Sequence, residues 1–198
     1  MSYSEQLDAL AEWTADAVAG LTEQLDADEL DADEWATLAA VLVVTAAAQA
    51  RQLAELSLTG QLVALGLPDP LPTTGAAVAL PDLDATRAEL LDALGSERFP
   101  SRRDERIRAA AREPALDTAR ETYGEAVRDR PEVEGWVRQL NAEACELCQW
   151  WNREDRVWPK KHRMPQHKGC LCAPAVVVQE YIMPVGRRGR RARARSLL

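Results

Sequence analysis

The chain has 198 residues, of which 46% are hydrophobic and 28% charged, and its net charge is −8. This composition is typical of globular proteins and excludes a collagen-like or wholly disordered chain. No stretch reaches the ~20 apolar residues of a membrane span, and MSYSEQLDAL lacks the basic and apolar regions of a secretory signal. We therefore expect a soluble protein without a membrane role, made in a reducing cytoplasm. Cysteines there are more often metal ligands or redox groups than disulfides.

Charge is unevenly distributed along the sequence. Residues 1–97 carry 18 acids and two bases, residues 98–186 are nearly balanced, and residues 187–195 carry six arginines. Such asymmetry indicates interaction with other macromolecules. The tail arginines are candidates for non-specific contacts with DNA phosphates. The alternative is a solubilising tail, or one that pairs with the acidic front. The arginines are Arg187, Arg188, Arg190, Arg191, Arg193 and Arg195.

The first 65 residues form the predicted acidic N-terminal helical region. Ser4 is the predicted N-cap of the first helix, because its hydroxyl can accept from the free amides of the first turn. Asp31 followed by Glu34 predicts a capping box that opens a long helix over about residues 32–58. The sequence carries no charge between Glu34 and Arg51, so we expect this helix to be buried on most faces.

The second half of the chain is predicted as a linker followed by a helical body. Four prolines within residues 66–82 predict the linker. Helices are expected at residues 83–94, capped by Gly95, and at 101–112, with another that starts at Pro114. The valine run in AVVVQEYI predicts a strand at 175–182, whereas the segment around Trp136 fits a strand or a helix. The expected fold class is α+β, mostly α-helical, with a small zinc-stabilised β element at the end of the body.

All four cysteines fall in one short stretch. Cys145 and Cys148 form C-x2-C, and after 18 intervening residues His167, Cys170 and Cys172 form H-x2-C-x-C. Two such pairs at this spacing predict a tetrahedral zinc site of thiolates and imidazole. Five candidate ligands compete for the four coordination positions of one ion. The favoured set is Cys145, Cys148, His167 and either Cys170 or Cys172. Ligation by all four cysteines, with His167 hydrogen-bonded to a ligand instead of to the ion, stays open. A site closed by four protein ligands indicates a structural role.

Other roles for these residues are weighed against structural zinc. A dithiol redox pair, unligated cysteines and a catalytic zinc are the alternatives, although neither a thioredoxin-like pattern nor the deaminase signature accompanies the cysteines. His162 is interpreted as a solvated loop residue rather than a ligand. The sequence contains no Ser/His/Asp set, P-loop or dinucleotide fingerprint. We therefore expect no enzymatic activity.

Four tryptophans surround the cysteines in sequence. Trp136, Trp150, Trp151 and Trp158 are expected to build a small core that the metal holds together, because so short a region buries little apolar surface alone. The alternative is that Trp150, Trp151 and Trp158 form an exposed platform for a partner protein or nucleic acid. The basic segment at residues 160–163 lies beside them in sequence and is interpreted as a solvated loop.

The strings NAEACELCQWW and RMPQHKGCLCAPAVVV resemble the C-terminal signature of phage Mu F-like minor head proteins, the phage head-morphogenesis family. That signature has C-x2-C, a variable loop, a proline-preceded H-x2-C-x-C and a following strand. Lys168 and Leu171 stand where the family often has proline and arginine. The resemblance covers about residues 100–182. The matching positions are Cys145, Cys148, Pro165, His167, Cys170 and Cys172.

The resemblance implies a minor capsid protein of a tailed phage, located in the virion head and in the host cytoplasm during assembly. Its implied partners are the portal or the major capsid protein, with a role in DNA packaging or ejection. The Mu F-like domain is then expected at residues 83–183, with the zinc module at 135–182 and a disordered tail at 184–198. The alternatives are a zinc-module nucleic-acid-binding regulator, a metal-dependent nuclease and a thiol oxidoreductase.

Overall fold

The computed structural model describes residues 1–67, 78–96, 100–141, 144–180 and 193–196. The chain is mostly α-helical with a small antiparallel sheet near the C-terminus, so the predicted α+β class is confirmed. The helices are α1 (Tyr3–Asp26), α2 (Ala32–Ala64), α3 (Leu83–Gly95), α4 (Arg103–Arg128) and α5 (Glu146–Asn152), with a 3-10 turn at Pro100–Arg102. The strands are β1 (Val133–Gln139), β2 (Trp158–Pro159), β3 (Ala173–Glu180) and β4 (Arg193–Ser196).

Residue contacts divide the chain into two compact units. Unit 1 comprises Met1–Ala54 and Val78–Glu121, and unit 2 comprises Glu55–Ala77 and Thr122–Leu198. Each unit therefore draws on two separated stretches of sequence. The predicted domains, in contrast, are continuous stretches of sequence. These domain boundaries remain a prediction. Residues 68–77 of the predicted linker lie outside the described residues.

Side chains from α1, α2, α3 and α4 form the core of unit 1. Trp35 is fully buried, and its indole N–H donates to the Thr22 hydroxyl at 3.2 Å. The Thr22 hydroxyl in turn donates to the Val18 carbonyl at 2.9 Å. The polar edge of the indole is thus satisfied inside an apolar core, as burial requires. The core residues are Ala15, Val18, Trp35, Ala36, Ala39, Ala40, Val43, Leu90, Ala93, Ile107 and Ala111.

Helix α2 buries one broad face rather than most of its surface. Its alanine-rich side lies in the core, whereas Leu38 and Val41 are almost half exposed. By length and composition α2 is apolar enough to cross a membrane, so the expectation that no segment reaches this length is wrong. A core helix passes the same test, and 39% of the most apolar window of α2 is buried in the fold.

Capping residues set where the first two helices begin. Ser2, not the predicted Ser4, caps α1: the Ser2 hydroxyl accepts from the Glu5 amide at 3.2 Å, and the Glu5 carboxylate accepts from the Ser2 amide. A capping box needs Glu or Gln three residues after the cap, and Ser4 has Leu7 at that position. The predicted box of Asp31 and Glu34 is confirmed, with distances of 2.8 and 3.2 Å.

Helix α4 is continuous where two helices were predicted. Pro114 lies inside α4 rather than at the start of a new helix. A proline inside a helix costs about 3 kcal/mol, because it removes one backbone hydrogen bond and crowds the preceding turn. Packing outweighs that cost here, since one buried stripe continues on both sides of the proline at intervals of four residues. The stripe is Ile107, Ala111, Ala115, Ala119, Tyr123 and Val127.

Arginines of α4 pair with the acidic residues of α1 inside unit 1. Arg108 binds Glu12 and Asp16 at 3.0 and 2.8 Å. Arg112 binds Asp8 and Glu12 at 3.2 and 2.7 Å. The acidic charge of the N-terminal region is therefore partly neutralised within the chain.

The four strands of unit 2 form an antiparallel sheet in the order β2-β1-β3-β4. Trp136 on β1 is paired with Val176 on β3 and with Trp158 on β2. A Cβ atom at Gly135 would overlap the carbonyl oxygen of Trp158, so glycine permits the close approach of β2.

Part of the arginine-rich tail contributes to this sheet. The tail at 184–198 is expected to be disordered, but Arg193–Ser196 form β4 and pair with β3, so that expectation is wrong for these four residues. The antiparallel pairing shows why: an edge strand offers unpaired backbone groups that a further segment can bind. Arg187, Arg188, Arg190 and Arg191 lie outside the described residues.

Candidate metal centre

The first pair of ligands lies at the start of α5. Cys145 is the N-cap of α5, and Cys148 lies one turn further along. The nearby backbone amides of the first turn, that of Cys148 first, lower the pKa of the exposed Cys145 thiol. Cys148, in contrast, is buried with only 1% of its surface exposed.

The second pair lies in a tight turn before β3. The Cys170 amide donates to the His167 carbonyl at 3.1 Å, and Gly169 adopts a left-handed conformation with φ of +70°. The His167 Nδ1 atom lies 2.8 Å from the Lys168 carbonyl, so the geometry fits an Nδ1–H donor. That tautomer leaves the lone pair of Nε2 available for a metal ion.

The two pairs of ligands meet in unit 2. The His167 Nε2 atom lies 3.1 Å from the Cys145 sulfur and 3.2 Å from the Cys148 sulfur. The Cys148 and Cys170 sulfurs are 3.4 Å apart. Zinc bonds to sulfur and nitrogen imply tetrahedron edges of about 3.8 Å between two sulfurs and about 3.5 Å between sulfur and nitrogen. Cys145, Cys148 and His167 are therefore close enough to share one ion, and Cys170 lies beside Cys148.

All five predicted ligands belong to this cluster. Their ligand atoms form two groups, each with all distances within 4.8 Å: Cys145, Cys148 and His167 in one, and Cys148, Cys170 and Cys172 in the other. Cys148 is common to both groups and stands at the centre of the cluster. The cluster could bind a metal ion through these side chains.

The thiols of the cluster influence one another's ionisation. Burial raises the pKa of the Cys148 thiol to about 12. The neighbouring Cys172 thiol lowers the pKa of Cys170 to about 4, and the interaction with Cys170 raises the pKa of Cys172. The hydrogen bond to the Lys168 carbonyl raises the pKa of His167. Because a metal ligand must be deprotonated, metal binding here releases protons.

Arg138 lies against the sulfurs of the cluster, although it is not among the predicted site residues. Its side chain on β1 is buried, and its Nη1 atom donates to the sulfurs of Cys148 and Cys170 at 3.7 and 3.9 Å. Its Nη2 atom donates to the Pro165 carbonyl, and the guanidinium lies 5.3 Å from the Trp151 ring centroid. The sequence signal for Arg138 is weak: the arginine follows Trp136 and Val137 and precedes Gln139.

The tryptophans around the cluster differ in their exposure. Trp136 and Trp158 stack at 6.0 Å, and the exposed His162 ring stacks on Trp158 at 4.5 Å. Trp151 stacks on His167 at 6.3 Å. Trp150 is 61% exposed. Of the three tryptophans predicted to bind a partner, Trp150 therefore presents the largest free surface, whereas the other two contact neighbouring rings.

His162 and the basic segment lie beside this aromatic group. His162 is outside both groups of metal-ligating side chains found in the described parts of the chain. Its carbonyl accepts from the Trp136 indole N–H at 2.9 Å, so the loop is fixed to β1 through its backbone. The Lys160 ammonium binds the Arg130 carbonyl. The segment comprises Lys160, Lys161, His162 and Arg163.

Comparison of the chain with protein-family models, with curated proteins and with solved structures gives no match. The resemblance to phage Mu F-like proteins stays a prediction that rests on the cysteine and histidine motif.

Proposed function

We propose that this chain is a non-catalytic assembly protein of a tailed-phage head, and that one Zn²⁺ ion stabilises its unit 2. The observation that carries the metal assignment is the position of His167 Nε2, 3.1 and 3.2 Å from two cysteine sulfurs of a different segment. Zinc favours such mixed sulfur and nitrogen ligands. Four protein ligands leave no coordination position for a substrate, which favours a structural ion.

Metal analysis of freshly purified, tag-free protein tests the zinc assignment. We expect one zinc per chain, retained through gel filtration and removed by a strong chelator, together with a loss of thermal stability on removal. The cysteines should resist alkylation until the chelator is added. A protein that elutes without any bound transition metal would refute a structural zinc centre.

The head-assembly role is supported by the sequence motif and by the order of elements around it. The C-x2-C pair opens α5, the H-x2-C-x-C turn follows, and β3 begins directly after Cys172. This order matches the signature described for the Mu F-like family. The portal or the major capsid protein is the proposed partner, and the virion head is the proposed location.

Mass spectrometry of purified virions tests this role. We expect peptides of the chain at a fixed, low ratio to the major capsid protein in intact heads, and none in isolated tails. Absence from heads and from procapsids would refute the assignment. The exposed Trp150 gives a matched pair of variants: Trp150→Ala should weaken incorporation if it binds the partner, whereas Trp13→Ala, which is also exposed, should not.

A nucleic-acid-binding zinc module is the second candidate function. The Arg153 guanidinium lies 5.0 Å from the ring of exposed Trp150, and aromatic rings beside cations are typical of surfaces that bind single strands. A sequence-selective gel shift that survives moderate salt would favour this regulator over the assembly protein. Deleting residues 187–198 should reduce the salt dependence of DNA binding if the basic tail contacts phosphates. Equal salt dependence in the full-length and truncated proteins would exclude such contacts by the tail.

A further inference from the structure

Arg138 carries a buried positive charge that needs a counter-charge. Its side chain is 1% exposed, and among the described residues its polar contacts are the sulfurs of Cys148 and Cys170 and the Pro165 carbonyl. Its Nε atom has no hydrogen-bond partner there. Burying a cation costs several kcal/mol unless an opposite charge lies close by. The sulfurs of Cys148 and Cys170 are the groups beside it that become negative when they bind a metal.

We propose that Arg138 is the counter-ion of the metal centre and determines its ligand set, an inference that rests on the proposed zinc site. A divalent ion bound by three thiolates and one imidazole has a net charge of minus one. The guanidinium of Arg138 balances this charge. Four thiolates would give minus two and leave one negative charge buried without a partner. The charge of Arg138 therefore favours three cysteines and His167.

The contacts of Arg138 also indicate which cysteines are ligands. Its Nη1 atom lies against Cys148 and Cys170, and these two sulfurs are 3.4 Å apart. The Cys172 sulfur instead donates to the Asn141 side-chain oxygen at 3.5 Å. Cys172 thus uses its S–H group outside the ion, and Cys170 supplies the fourth ligand beside Cys145, Cys148 and His167.

Cobalt substitution tests this ligand set. Co²⁺ replaces zinc in tetrahedral sites, and the intensity of its thiolate charge-transfer absorption rises with the number of bound thiolates. We expect Cys172→Ser to leave this absorption and the metal stoichiometry unchanged, and Cys170→Ser to reduce the absorption by about a third, from three thiolates to two. A loss of absorption in Cys172→Ser equal to that in Cys170→Ser would overturn the assignment.

Variants of Arg138 test its role as counter-ion. We expect Arg138→Met to weaken Zn²⁺ binding, measured by competition with a chromogenic chelator, by about 10–100-fold, as loss of a group that supports metal ligands does. Arg138→Lys keeps the charge and should regain most of that affinity. Arg106→Met is the matched control, because Arg106 also donates to backbone carbonyls, those of Ala93 and Ser96, but belongs to unit 1.

The outcomes separate this inference from the proposed function. Native protein that binds neither Zn²⁺ nor Co²⁺ would refute the metal centre itself. Native protein that binds zinc, with Arg138→Met binding equally tightly, would refute only the counter-ion. If Arg138→Met does not fold, Arg138→Lys and Cys172→Ser decide the question. An Arg138→Lys variant that gains no thermal stability from added Zn²⁺, or an altered Co²⁺ spectrum in Cys172→Ser, would refute the inference.

Discussion

Gln61 near the end of α2 accepts two hydrogen bonds from buried donor residues within unit 2. Its side-chain oxygen accepts from the Tyr123 hydroxyl at 2.9 Å and from the Val176 amide of β3 at 3.0 Å. Both donor residues are at most 1% exposed. Each unsatisfied buried donor costs about 1–3 kcal/mol. We therefore expect Gln61→Leu to lower the free energy of unfolding by roughly 2–6 kcal/mol.

Tyr123→Phe separates the two hydrogen bonds. It removes one donor but leaves Gln61 bound to Val176, so it should cost only about 0.5–1.5 kcal/mol. In the Gln61→Leu/Tyr123→Phe double variant the Tyr123 hydroxyl is absent together with its acceptor, so the total cost should fall below the sum of the two single costs. Urea denaturation at a fixed zinc concentration measures all three variants, with equal m-values as the condition for comparison.

The matched control for this prediction is on the same helix. Gln52 also lies in α2 but is exposed, so Gln52→Leu should change the free energy of unfolding by no more than about 0.5 kcal/mol. The reasoning fails if Gln61→Leu lowers the free energy of unfolding no more than Tyr123→Phe does. Losing the shared acceptor removes two hydrogen bonds, whereas losing the Tyr123 hydroxyl removes one.

Three further predictions concern other parts of the chain. Gly135→Ala should destabilise unit 2 by about 1–3 kcal/mol and alter near-UV circular dichroism, since its Cβ overlaps the Trp158 carbonyl oxygen; an unchanged melt would contradict this contact. Arg103 lowers the pKa of Asp26 by hydrogen bonding, so the pair stabilises at neutral pH and its contribution disappears as pH falls through that lowered pKa. Asp26→Asn should thus be less stable than the native chain at pH 7, by less than about 1 kcal/mol for an exposed pair, and equal to it in strong acid; a difference that persists in acid would count against the pair. Cys148→Ser should reduce both zinc stoichiometry and melting temperature, and a variant unchanged in both would show that Cys148 is not a ligand.

Short-range patterns predicted the elements whose stabilising partners lie a few residues away. The box of Asp31 and Glu34 closes over three residues, so its prediction did not depend on the rest of the fold. Ser4 was wrong as a cap because the competing Ser2 has Glu5 at the reciprocal position. Pro114 was wrong as a helix start because its effect depends on packing of the whole of α4, which a local rule omits.

Local sequence is sufficient to specify the capping box that opens α2, the valine-rich strand and the two pairs of metal-ligating side chains, because caps, strand preference and ligand turns each act over a few residues. Only the folded chain shows that both pairs of ligands meet, that Arg138 lies against their sulfurs, and that Trp150 stays exposed while Trp151 contacts His167. These features depend on residues distant in sequence, whose burial and close contact arise from packing rather than from local conformational preference.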